Sequence, residues 1–115
     1  MRESQLKKRC RDWAAERFDG RMVNVDAKGV LGFPDSILLV PQCPPVLIEF
    51  KTGTRPSSSQ VRWGQWLSEN GFRHWTVYAL DEFIEECENL FIDRGIHRAA
   101  TFATARSRRM AEGQD

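Results

Sequence analysis

The sequence predicts an α/β chain in which α/β/α layers enclose a mixed central sheet of about four strands. Three observations carry this. Apolar residues recur at helical spacing from residue 2 to residue 18. Three short β-rich runs between residues 21 and 51 are joined by brief connections, which favours an antiparallel meander. A helix over residues 58–70 then crosses to a β-rich run at 72–80, a connection that can return a strand parallel to its predecessor. At 115 residues, one domain with a core of its own is expected, without disulfide or metal staples.

In the first helix Leu6, Cys10, Trp13, Ala14 and Phe18 form one apolar stripe, and basic residues cover much of the remainder. Glu3 leans towards that stripe by spacing, although an acid in the first turn also suits the helix dipole. Asp19-Gly20 stops the helix, and Arg21 to Asp26 alternates as a strand. Gly29 and Gly32 supply permissive backbone, and Pro34 forces Phe33 towards an extended conformation. Ser36 to Val40 is apolar on both faces, as expected for an interior strand covered on each side. The breaker run Pro41 to Pro45 separates it from the strand Val46 to Lys51. After the loop Thr52 to Pro56, Ser57 and Gln60 match a capping box, with Ser57 at the N-cap and Gln60 at N3. Gly71 suits the helix end. Asp81 is expected to cap a final helix whose inner face is Phe83, Ile84, Cys87, Leu90 and Phe91, with an acidic outer face turned away from any phosphate. Periodicity fades after Gly95. Residues 1–94 are therefore read as the folded domain. Residues 95–115 are read as a basic tail, either disordered, an added short helix or a basic arm.

The net charge of +1 does not argue for a polyanion partner; its distribution says more, and it leaves the N-terminal basic cluster evenly open to a solvated helix face or a DNA groove. Arg2, Lys7, Lys8, Arg9, Arg11, Arg17 and Arg21 crowd the start, and Arg98, Arg106, Arg108 and Arg109 make the tail basic again. Cys10, Cys43 and Cys87 are far apart and odd in number, so reduced thiols in a cytoplasmic protein are expected and a zinc site is not. No secretory leader and no membrane span are expected.

The chemistry concentrates between Gly29 and Gln60. Glu49 and Lys51 share one face of their strand, and Ile48 and Phe50 point to the other. A carboxylate and an ammonium inside an otherwise apolar strand are costly to bury and suggest a site. If the two strands pair as neighbours, Asp35 approaches both. Two acidic oxygen donors beside a lysine suit a hard divalent cation and an activated water. Pro-Asp by itself is ordinarily a turn, and Glu-x-Lys by itself a solvated strand edge. Their occurrence together, in this order and with apolar flanks, favours a metal site. Gln60 fits both a cap and a site role. Trp63 and Trp66, spaced with Val61 and Leu67, fit a core or a dimer interface better than base stacking. His74 and His97 have no catalytic partner.

Gly32-Phe33-Pro34-Asp35, Ile48-Glu49-Phe50-Lys51 and Ser57 to Gln60, with the early acid Glu3, make the chain resemble the PD-(D/E)XK nuclease superfamily. Within it the chain is similar to the virus-type replication–repair nuclease domain, VRR-NUC, over roughly residues 3–83. The resemblance implies a restriction-endonuclease-like fold and a metal-dependent DNA endonuclease using Mg²⁺ or Mn²⁺. The implied substrate is branched or otherwise structured DNA, cut by a homodimer in the cytoplasm of a bacterium or phage-infected host. It assigns Asp35 and Glu49 as metal ligands with the Phe50 backbone carbonyl, Glu3 to the outer metal environment, Lys51 to the attacking water and developing charge, and Gln60 to ordering the site. Lys7, Lys28, Arg55 and Arg62 are the expected nucleic-acid contacts. The linker Gln42-Cys43-Pro44-Pro45 departs from the pattern in lacking a glycine, which bears only on the hairpin. The rival expectation is a non-catalytic nucleic-acid-binding module of the same fold.

Overall fold

A computed structural model describes residues 1–92, so the basic tail with His97 lies outside the described residues. The order is α1 (Glu3–Phe18), β1 (Arg21–Asn24), β2 (Ser36–Leu39), β3 (Val46–Phe50), α2 (Ser58–Glu69), β4 (Arg73–Val77) and α3 (Leu80–Cys87). A π-helical segment, Glu88–Ile92, continues α3. The sheet runs β1-β2-β3-β4. The first two pairings are antiparallel and the β3–β4 pairing is parallel. This is the expected mixed four-stranded α/β/α arrangement.

The two faces of the sheet are built differently. On one face lie Leu38, Val46, Ile48, Phe50 and Val77, packed against Leu6, Cys10, Ala14 and Phe18 of α1 and Phe83 and Cys87 of α3, with Phe91 beyond. The aromatic rings interlock edge to face, Trp13 on Phe83 at 6.0 Å and Trp75 on Phe83 at 6.2 Å, a geometry that adds to the burial itself. The thiols of Cys10 and Cys87 are free and buried in this layer, and burial pushes both up in pKa, so they serve as apolar filler.

The other face carries α2, which packs on β4. Gly64 permits the close approach: a Cβ there would lie 2.8 Å from the His74 ring. The β1–β2 half of this face is more open than the sequence suggests. Leu39 and Val23 are each more than two-fifths exposed. β2 is thus covered fully on one side only, because the helix that would cover the other lies over the far edge of the sheet.

Helix ends follow local chemistry with two adjustments. Asp19, not Gly20, takes the left-handed conformation that ends α1, at φ 58°. Gly20 is needed for space, since a Cβ would meet the Ala14 carbonyl oxygen at 3.2 Å and Leu38 Cδ1 at 3.3 Å. Asp81 does not cap α3 as expected. The N-cap position is Ala79, without a side-chain bond, and the Glu82 carboxylate accepts from the Tyr78 N–H at 2.9 Å. The helix begins two residues earlier than Asp81 implies, and Asp81 becomes a first-turn acid. At α2 the expected capping box is present: the Gln60 N–H donates to Ser57 Oγ at 3.2 Å, and the Ser57 N–H donates to Gln60 Oε1 at 2.8 Å.

Gly32 joins the β1–β2 connection to α2. Its φ is +84°, and a Cβ would fall 2.5 Å from the Ser59 carbonyl carbon. Phe33 docks edge-on against Trp63 of α2 at 5.1 Å. Gly29 has a similar φ, +81°, with open space around it. Gly29→Ala is therefore expected to cost only the left-handed strain, about 1 kcal/mol, whereas Gly32→Ala adds a clash with backbone and costs about 2–5 kcal/mol. Equal melting temperatures for the two variants would show that the loop is not held against α2.

Candidate active site

The antiparallel register pairs Ser36 with Ile48, which sets Asp35 one step out, opposite Glu49 and on the same face. The backbone carbonyl of Asp35 accepts from the Val25 N–H at 2.8 Å, so the ladder with the first strand continues past its formal end. Asp35 is then held by three groups. Ser36 Oγ donates to Oδ1 at 2.8 Å, the Phe50 N–H approaches Oδ2 at 3.5 Å, and Lys7 Nζ lies 3.6 Å from Oδ1.

Glu49 sits on the wholly buried β3, and the residue is 6% exposed. Burial pushes its carboxyl up to about 8, and a hydrogen bond to Asp35 and the Asp35 charge push the same way. Lys51 opposes this and Glu3 adds slightly to it. The Lys51 N–H donates to the Val77 carbonyl at 2.9 Å, which ties the residue after β3 to β4. These influences favour the protonated form of Glu49, whose proton then lies in its hydrogen bond to Asp35.

The site residues expected from sequence fall into two groups. Asp35, Glu49 and Lys51 come together at one end of the sheet. Glu3 is exposed at the start of α1, close enough for its charge to act on Glu49. Gln60 makes the hydrogen bonds of the α2 cap. Of the expected nucleic-acid contacts, Lys7 converges on Asp35, while Arg62 lines a cavity of about 380 Å³ with Leu31, Ser59, Trp63 and Trp66. Lys28 pairs with Asp26 at 3.8 Å on the surface, and Arg55 is exposed in the β3–α2 loop. Sequence reasoning missed the Ser36 hydroxyl and the ion pair of Lys7 with Asp35. The four-residue spacing of Glu3 and Lys7 on one helix was the available signal, since it sets both on the same side of α1.

Among the described residues, no group of three or more His, Cys, Asp or Glu is gathered to hold a metal unaided. The donor set still fits a hard cation. Two carboxylates meet at one end of the sheet, and small divalent ions commonly take one or two carboxylates and complete their shell with water and phosphate.

Two solved structures share this architecture. A VRR_NUC domain superposes with a TM-score of 0.67 at 20% identity, covering 75% of this chain and 94% of its own. A VRR_NUC domain protein gives a TM-score of 0.65 at 16% identity, covering 79% of this chain and 88% of its own. The fold is that of a VRR-NUC domain. No family profile and no curated protein matches the sequence, so the likeness is one of three-dimensional structure.

The raised Glu49 value makes stability depend on pH with a defined sign. A carboxyl whose folded value exceeds its ordinary 4.5 contributes stability that is fully present below 4.5 and is lost as pH rises through about 8. Burial lowers His74 from 6.5, so its contribution is lost only as pH falls, and the loss on the alkaline side comes chiefly from Glu49, with the buried thiols Cys10 and Cys87 adding to it only towards pH 9. In EDTA the wild-type melting temperature should fall between pH 6 and pH 9, and Glu49→Gln should be flatter over the same range. Parallel curves would refute the shared proton.

Proposed function

We propose that the chain is a metal-dependent DNA endonuclease that hydrolyses phosphodiester bonds in branched or otherwise structured DNA. The observation that carries this is the convergence of Asp35 and Glu49 across the β2–β3 pair, with Lys51 following Glu49 on the same strand face. Asp35, Glu49 and the Phe50 carbonyl would hold Mg²⁺ or Mn²⁺, which supplies charge stabilisation at phosphorus and a water of lowered pKa. Glu3 would act from the outer environment of that ion. Lys51 places an ammonium where negative charge develops on the phosphoryl oxygens, and its pKa adapts to a proton-handling role more readily than that of arginine. Gln60 would order the site from the start of α2. Lys28, Arg55 and Arg62 supply phosphate contacts from loops and helix around it. One small domain has little surface for base readout, so shape and backbone contacts select the substrate.

Nicking of a synthetic four-way junction and of supercoiled plasmid tests this. Wild type should cleave with Mg²⁺ or Mn²⁺ and not with EDTA. Lys51→Ala should lose about 10²-fold or more in turnover while binding junction DNA in Ca²⁺ nearly as well, because the lysine acts chiefly in the transition state. Full activity in Lys51→Ala would remove its assigned role. Binding without cleavage by wild type across DNA forms would leave a nucleic-acid-binding module instead.

The homodimer is proposed on a separate observation. Leu31 is 81% exposed, and Trp66 and Phe72 are 51% exposed with their rings stacked at 6.0 Å. Large apolar groups at this density on one side of a small domain favour a partner surface. A twofold pair would set two sites on one substrate. Sedimentation at micromolar concentration should give a dimer that Trp66→Glu dissociates, and a monomer with and without DNA would rule it out.

A further inference from the structure

The ion pair between α1 and the candidate site has a consequence for metal binding. Lys7 Nζ lies 3.6 Å from Asp35 Oδ1, and its side chain is only 28% exposed. The neighbouring Lys8 extends into solvent at 67% and pairs with Asp12 at 3.0 Å. Lys7 is drawn back over the site, with its ammonium 6.0 Å from the centroid of the buried Phe50 ring. The contact with Asp35 is nonetheless loose. Ser36 Oγ holds the same oxygen at 2.8 Å, whereas a tight charge-assisted bond from nitrogen would lie near ~2.8 Å.

We propose that Lys7 is a positioning residue that serves as an internal counter-cation. It occupies Asp35 Oδ1 in the metal-free protein and must withdraw before a divalent cation can use that carboxylate. The proposal rests on the metal-dependent reading above and adds a residue to it. Two cations cannot share one carboxylate oxygen at short range without strong repulsion. The flexible four-carbon stem of lysine and its part-exposure give the ammonium a way out. Until then it offsets the charge of Asp35 beside Glu49 and keeps the two strand ends together. The outcome is a site assembled in advance, with metal affinity set below what its carboxylates alone would give.

Calorimetric titration of Mn²⁺ into the full chain at fixed pH tests this with wild type, Lys7→Met, Lys7→Arg and the control Lys8→Met. Lys7→Met should bind Mn²⁺ about two- to fivefold more tightly, the range expected for removing one loose, partly exposed ion pair. Lys7→Arg should stay near wild type. Lys8→Met should not change, because it removes equal charge away from Asp35. In EDTA, Lys7→Met should melt below wild type, and saturating Mn²⁺ should narrow or reverse that gap. Should Lys7→Met fail to fold, Lys7→Gln in the same titration decides. Unchanged or weaker Mn²⁺ binding in the lysine variant, or equal tightening in Lys8→Met, overturns the role of Lys7 alone. Absence of Mn²⁺ binding in every protein, wild type included, overturns the metal-dependent reading with it.

Discussion

The candidate site depends on a carboxylate placed where a carboxylate is least welcome. Glu49 lies on the central strand, shielded on both sides by neighbouring strands, and is 6% exposed. Its nearest titratable neighbour is another acid, Asp35, brought there by the β2–β3 register. Nothing in packing requires this, and an apolar residue at position 49 would suit the strand better. An arrangement that opposes stability and sits beside a lysine is more readily explained by chemistry than by folding.

The two helical layers divide the work. α1 and α3 form the aromatic core that makes the sheet rigid, and the four phenylalanines Phe18, Phe50, Phe83 and Phe91 are fully buried there. α2 contributes less burial, with Gly64 and Leu67 as its buried residues, but it fixes the loop that delivers Asp35. The contact of Gly32 with Ser59 and of Phe33 with Trp63 sets that loop against the start of α2. Strand, loop and helix N-terminus thereby meet at one place. The lysine on α1 reaches the same place from the opposite layer. The site thus joins every layer of the fold, although its residues are few.

Much of this was legible in the sequence, because much of it is local. The stripe of α1, the capping box of α2 and the order of antiparallel and parallel strands follow from spacing, caps and connection lengths. The pairing of Asp35 with Glu49 was legible as a possibility once β2 and β3 were taken as neighbours, but the register that realises it is tertiary. What sequence missed was relational. The openness of Leu39 reflects where α2 lies, which no feature of Ser36 to Val40 encodes. Asp81 has the chemistry of a cap, yet Glu82 reaching back to Tyr78 starts the helix earlier. In sequence Lys7 reads as a nucleic-acid contact on a basic helix face, and only the docking of α1 on β3 separates it from Lys8 and brings it to Asp35.

Gln60 shows how a local explanation and a functional one coexist. The cap consumes its backbone N–H and its carboxamide oxygen, through bonds of 3.2 Å and 2.8 Å with Ser57. A glutamine amide has two further hydrogens to donate. The cap does not use them, and it holds the side chain in one orientation at the helix start while leaving that NH₂ group free of the cap. Glutamate at N3 would cap as well, but it would bring a negative charge to the start of α2 and, when ionised, no hydrogen to donate. Glutamine meets the cap's requirement without that cost. The capping box therefore does not compete with a site role for Gln60; it supplies the rigidity such a role would need.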